Sequence, residues 1–204
     1  MAPIAIAPIA GWFAAPLLQK ETESNEPRRI LVAAGFAVVA VWAALTMPAN
    51  WLLPATCLLG WTLFALATVD ALALRLPDIF NLPLIAAGLL VSLKLGDPLA
   101  HAIGAAAGFL VFYAIQFAYR AVRKREGLGL GDAKLAAAAG AWLGWQALPG
   151  IVLIACAVAV VWIGVAVIRR GRTVLEEQIP FGVPLCLAIW IVWLYGLPGL
   201  LDTA

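Results

Sequence analysis

Residues 51–70 read WLLPATCLLGWTLFALATVD, nineteen positions without a charge closed by an acid at Asp70. As a helix rising ~1.5 Å per residue, such a run comes close to the ~30 Å of a bilayer's hydrocarbon core. A helix is also the economical way to bury it there, because each backbone N–H and C=O is then paired within the segment. The pattern recurs along the chain. Apolar runs cover about 30–47, 51–69, 79–95, 99–118, 133–148, 151–168 and 179–197, with turn formers at 48–50, 96–98 and 149–150 between them. The expected fold is therefore all-α: a polytopic transmembrane bundle of about seven spanning helices. The shortest run, 133–148, needs the glycine-rich turn before it or local thinning of the bilayer to complete a crossing.

Composition agrees. Hydrophobic residues make up 65% of the 204 and charged residues 12%, with a mean hydropathy of +1.01. A water-soluble domain carries about a quarter charged residues, so much of this surface faces lipid. The net charge of +2 is too small to point to a nucleic-acid partner. Cys57, Cys156 and Cys186 lie singly in apolar runs, with no CxxC pair to suggest zinc or a disulfide framework. Residues 1–19 are a candidate eighth hydrophobic segment. No Lys or Arg precedes Lys20, which removes the basic start of a signal peptide, and Pro3, Pro8 and Pro16 break helical continuity.

Basic residues set the orientation. With the loop at 20–29 cytoplasmic, alternation puts 70–78, 119–132 and 169–178 on the same side. Twelve of the thirteen Lys and Arg then lie inside, and only Lys94 lies outside.

Of the eleven acids, eight fall in polar loops or at the terminus; Asp70, Asp78 and Asp132 do not. An acid at the centre of a membrane helix costs about 2.5–3.5 kcal/mol, less towards the interface, and usually faces a protein interior or a water cavity. The bland alternative is a helix-end charge at headgroup level. Asp70 closes the second run on the cytoplasmic side, and Asp132 opens the fifth on that same side, so the two can meet. One sits at a helix C-terminus and the other at an N-terminus, so their dipole environments are expected to differ. Two like charges sharing a site do not both ionise, which would supply a base and an acid together. Before Asp132, Gly127, Gly129 and Gly131 alternate with leucines, and a strand-like segment of this kind can hydrogen-bond an extended peptide. The plainer reading is a flexible loop leading into a helix, with Asp132 near its N-cap.

These residues resemble the bacterial type IV prepilin peptidases, GxGD intramembrane aspartyl proteases. Glu126-Gly-Leu-Gly-Leu-Gly-Asp-Ala-Lys-Leu135, continuing to Gly140-Ala-Trp-Leu-Gly-Trp145, is similar to the family's GxGD segment. Val69-Asp70, Leu76-Pro77-Asp78 and Asn81-Leu-Pro-Leu84 are similar to its first aspartate motif, and Ile179-Pro-Phe-Gly182 to a weaker third element. The resemblance spans roughly 50–197. It implies Asp70 and Asp132 as the catalytic pair, and Asp78, Gly129, Gly131 and Lys134 as residues that shape the site or bind substrate. Arg75 and Lys134 are also expected to snorkel to the cytoplasmic surface. The implied substrate is a type IV prepilin or a pseudopilin of a type II secretion system, cut at the cytoplasmic face of the bacterial inner membrane. No metal or organic cofactor is called for, and His101 stands alone near the outer face.

The departures are informative too. Many members carry an N-terminal cytoplasmic domain with two CxxC pairs and also methylate the product. Residues 20–29 hold nothing of the kind, so the resemblance is to a form lacking that domain, and N-methylation is not expected of this chain. The expected division is 1–29, a hydrophobic segment and cytoplasmic loop, and 30–204, the transmembrane peptidase domain. Val183-Pro184 after the third element blends the spellings of different subfamilies, which leaves the pilin subclass open, and oligomeric state is not legible. The rival from another class is a small proton-coupled transporter with the aspartates as relay carboxylates. Thr62, Thr68 and Gln116 are thin material for its path. A structural membrane subunit, the third option, gives no reason for the GxGD placement.

Overall fold

Each apolar run becomes a helix. The computed structural model describes residues 26–123, 129–171 and 180–196, with backbone alone at 26–31 and 122–123. Among the described residues there are seven α-helices and no strand: α1 (Glu26–Thr46), α2 (Leu52–Ala73), α3 (Asp78–Leu95), α4 (Pro98–Arg123), α5 (Leu130–Leu143), α6 (Leu148–Arg170) and α7 (Gly182–Tyr195). A single 3-10 turn, Trp145–Ala147, separates α5 from α6. By length and composition, α2, α3, α4 and α6 are each able to cross a membrane. The N-terminal segment 1–19 and the loop following it lie outside the described residues.

The fifth run departs from expectation. Its helix stops at Leu143, where Gly144 takes φ 77°, and the chain reverses through the 3-10 turn before Leu148. Pro149 and Gly150 form no turn but sit in the first turn of α6. Proline suits that position, since its missing N–H has no helical partner to lose and its φ is already helical. At fourteen residues α5 measures only about 21 Å. It does not meet lipid as an independent span, because ten of its fourteen residues are buried by the surrounding helices.

Small residues bring those helices close. A methyl group on Gly140 would stand 2.1 Å from the backbone of Gly104, so α4 and α5 touch main chain to main chain. His101 of α4 donates from Nδ1 to the Ala141 carbonyl at 3.0 Å, which adds a polar tie near the outer end. Indole groups tie the other helices. Trp142 Nε1 donates to the Leu84 carbonyl of α3 at 2.8 Å, and Trp193 Nε1 to Thr56 Oγ1 of α2 at 2.9 Å. Trp142 is buried and Trp193 partly buried against the core, and the N–H of each finds an acceptor. The outer faces are apolar, with Leu153, Val160, Val161 and Ile168 of α6 all strongly exposed.

Candidate active site

Helical spacing alone aims Asp70 inward. Thr56, Leu59, Leu63 and Leu66 form the buried stripe of α2 at alternating steps of three and four, and Asp70 continues it into the last turn. The residue is only 5% exposed. Its Oδ2 accepts the Val183 N–H at 3.2 Å, and the Gly182 N–H is directed at the same carboxyl. The N-terminus of α7 therefore points at Asp70, as helix N-termini do at anions. Gly182 has to be glycine for this contact, because a Cβ there would lie 2.6 Å from Asp70 Oδ2.

Asp132 is the third residue of α5 and is 8% exposed. It caps its own helix: Gly129 N–H donates to Asp132 Oδ2 at 3.1 Å, while Asp132 N–H donates to the Gly129 carbonyl at 3.1 Å. Both carboxyls are thus held by backbone donors at a helix N-terminus, Asp70 by α7 and Asp132 by α5. The expected contrast of dipole environments is not found, because α7 offsets the C-terminal end of α2.

The two acids open onto one cavity of about 490 Å³, walled by the α2–α3 linker (residues 74–77), by Asp78 and by residues 129–131. They are near enough for the charge of Asp70 to act on Asp132, and both charges reach the buried thiol of Cys186. Leu76 stands between the supporting segments. A Cβ on Gly131 would meet Leu76 Cβ at 2.7 Å, and one on Gly182 would meet Leu76 Cδ1 at 3.1 Å.

Among the other sequence-derived candidates, Asp78 and Lys134 are brought together, with Lys134 Nζ 2.6 Å from Asp78 Oδ1. Lys134 is thus paired across two helices instead of only snorkelling, while Arg75 is exposed on the cavity wall. The strand-like reading of the glycines is corrected. Gly131 lies within the first turn of α5, Gly129 is its extended N-cap, and Gly127 lies outside the described residues. Of the side chains a permeation path would need, Thr62 and Thr68 bond back to the Leu58 and Phe64 carbonyls of their own helix.

Residues 57–164, which include both acids, match the type IV leader peptidase family. The chain belongs to that family. Curated relatives of this chain are each described as "Prepilin leader peptidase/N-methyltransferase". One from Aeromonas salmonicida is 42% identical over 163 residues, covering 78% of this chain and 55% of the relative. One from Burkholderia pseudomallei is 47% identical over 122 residues, 59% of this chain and 39% of the relative. One from Pseudomonas aeruginosa is 35% identical over 171 residues, 81% and 58% respectively. The chain therefore spans roughly half the length of the curated relatives it matches. No solved structure matches it. The matched family segment ends before the third element, although Gly182 and Val183 supply the donors to Asp70. That role had a signal in the sequence: a Pro-Phe-Gly stretch opening an apolar run marks a helix N-terminus, where free N–H groups gather. Leu76 stood out only as part of the Leu76-Pro77-Asp78 motif, and nothing in the sequence marked it as the side chain packed between Gly131 and Gly182.

Proposed function

We propose that this chain is an aspartyl prepilin leader peptidase, working at the cytoplasmic face of the bacterial inner membrane with Asp70 and Asp132 as its catalytic pair. The observation that carries this reading is the convergence of two buried carboxyls on one cavity, each anchored at Oδ2 by a backbone N–H. Twelve cations on the side of that cavity argue for the cytoplasmic face. The substrate is a leader-bearing prepilin or pseudopilin, whose apolar helix stays in the bilayer while the leader junction enters the cavity.

In the reaction one carboxylate is ionised and the other protonated, as shared negative charge requires. The ionised group takes a proton from water as the oxygen attacks the scissile carbonyl, and the protonated group donates to the carbonyl oxygen. Collapse of the tetrahedral diol breaks the C–N bond and delivers a proton to the leaving amine. The backbone donors keep both carboxyls pointed at the reacting atoms, which is where geometric precision counts most.

The test is cleavage of a prepilin co-expressed with the chain, followed by gel shift and mass spectrometry. Asp70→Asn and Asp132→Asn should each lower the rate by about 10³-fold or more, the scale expected for losing an acid–base group, while both variants still insert in the membrane. Normal cleavage by either variant would exclude the pair.

A further inference from the structure

We propose that the α2–α3 linker is the positioning element of this site and that the Asp78–Lys134 ion pair is the latch that holds it. The inference rests on the reading of Asp70 and Asp132 as the catalytic pair and adds what fixes their separation.

The linker runs from one acid to the helical turn that carries the other. At its start, Leu74 N–H donates to the Asp70 carbonyl at 2.9 Å, and Leu74 itself takes φ 53°. That is the left-handed region, which a branched side chain occupies only when its surroundings impose it. Midway, Leu76 is wedged between Gly131 and Gly182, the residues next to Asp132 and at the head of α7. At the end, Asp78 opens α3 and reaches Lys134 at 2.6 Å, two positions after Asp132 in the same turn of α5. A direct mechanical route thus joins the backbone of Asp70 to the turn that presents Asp132.

Lys134 is the fifth residue of α5, just past its first turn, and its ion-pair partner comes from another helix, α3. The pair therefore ties the start of α5, which carries Asp132, to the far end of the linker. The pair is also unequal in exposure, with Lys134 at 23% and Asp78 at 56%, so it is partly screened and should loosen with salt. Its value lies in geometry more than in stability, since half-exposed pairs add little to folding.

The test compares full-length wild type with Lys134→Met, Asp78→Asn, Lys134→Arg and the exchanged pair Asp78→Lys/Lys134→Asp, in proteoliposomes with a prepilin. A latch predicts that Lys134→Met and Asp78→Asn each lower kcat about tenfold with KM within about twofold, the signature of lost positioning. Lys134→Arg and the exchanged pair should recover kcat to within about threefold of wild type, since only the pairing matters. A second readout needs no cleavage: dipolar broadening between nitroxides at Leu74→Cys and Leu130→Cys in a Cys156→Ala background. Both leucines are exposed, while Cys57 and Cys186 are buried away from label. The single variants should weaken or spread the coupling, and the exchanged pair should restore it. Unchanged kcat and label coupling in Lys134→Met would overturn the latch. So would a rise in KM alone, which marks substrate contact, or an exchanged pair no better than the singles. If wild type cuts no prepilin, the peptidase reading fails, and the nitroxide coupling alone then decides the latch.

Discussion

A single missing methyl group sets the position of each acid. At Gly182 the space for a Cβ is already taken by Asp70 Oδ2, and at Gly131 by Leu76. The two glycines differ in what would yield. A methyl at 131 presses first on the Leu76 side chain and only through it on the site. A methyl at 182 presses on the carboxylate itself and on the N–H donors that hold it. Gly182→Ala should therefore lower kcat by about 10²-fold, the scale of loss for ~1 Å misplacement of a reacting group. Gly131→Ala should cost less, and the pairing of Gly131→Ala with Leu76→Gly should recover part of the loss, because the nearest atom it meets is Leu76 Cβ, which only glycine removes. Steady-state cleavage of a prepilin by the four proteins measures this; equal losses for the two glycine variants would refute the ranking.

At the scale of the element, α5 is the unusual helix. It is too short for a lipid-facing span and so depends on its neighbours, α4 through bare backbone contact and α3 through Trp142. Trp142→Phe keeps most of the apolar bulk and removes the N–H that the Leu84 carbonyl accepts. The loss of that bond together with the smaller ring should destabilise the protein by about 1–3 kcal/mol, seen as a lower midpoint of thermal unfolding in detergent. An unchanged midpoint would mean that the α3–α5 tie contributes nothing. The seven helices themselves were legible because lipid demands long uncharged runs, and Asp70 and Asp132 stood out against them. The end of α5 was not legible. Pro149–Gly150 has the spelling of a turn, yet a proline is equally at home in the first turn of a helix, and only the packing of Trp145–Ala147 decides between the two. The role of α7 had only the indirect signal of a helix start at Pro180-Phe-Gly182, because the group that serves Asp70 is main chain, which side-chain identity does not advertise.

For the whole molecule the organising fact is the separation of charge across the bundle. Arg75 lies on the cavity wall beside both acids, while Lys94 ends α3 at the opposite pole, over the ring of Trp51. α3 joins the two and is one of the helices able to cross a membrane by length and composition, so the proposed topology puts Arg75 and Lys94 in different compartments. The positive-inside bias supports the proposed cytoplasmic placement of the cavity, because reversing the chain would put twelve of thirteen cations on the wrong side. Single cysteines make this measurable. In a Cys156→Ala background, Arg75→Cys should react with a membrane-impermeant maleimide only in inverted vesicles, and Lys94→Cys only in intact spheroplasts. Cys156 itself, exposed on the apolar face of α6, should resist that reagent from either side while reacting with a lipid-soluble one. Labelling of Arg75→Cys from outside would reverse the topology and move the cavity, with its two acids, to the far side of the membrane. Labelling from both sides would instead mean that the cavity is continuous across the bundle, which is what a transport path requires and a peptidase does not.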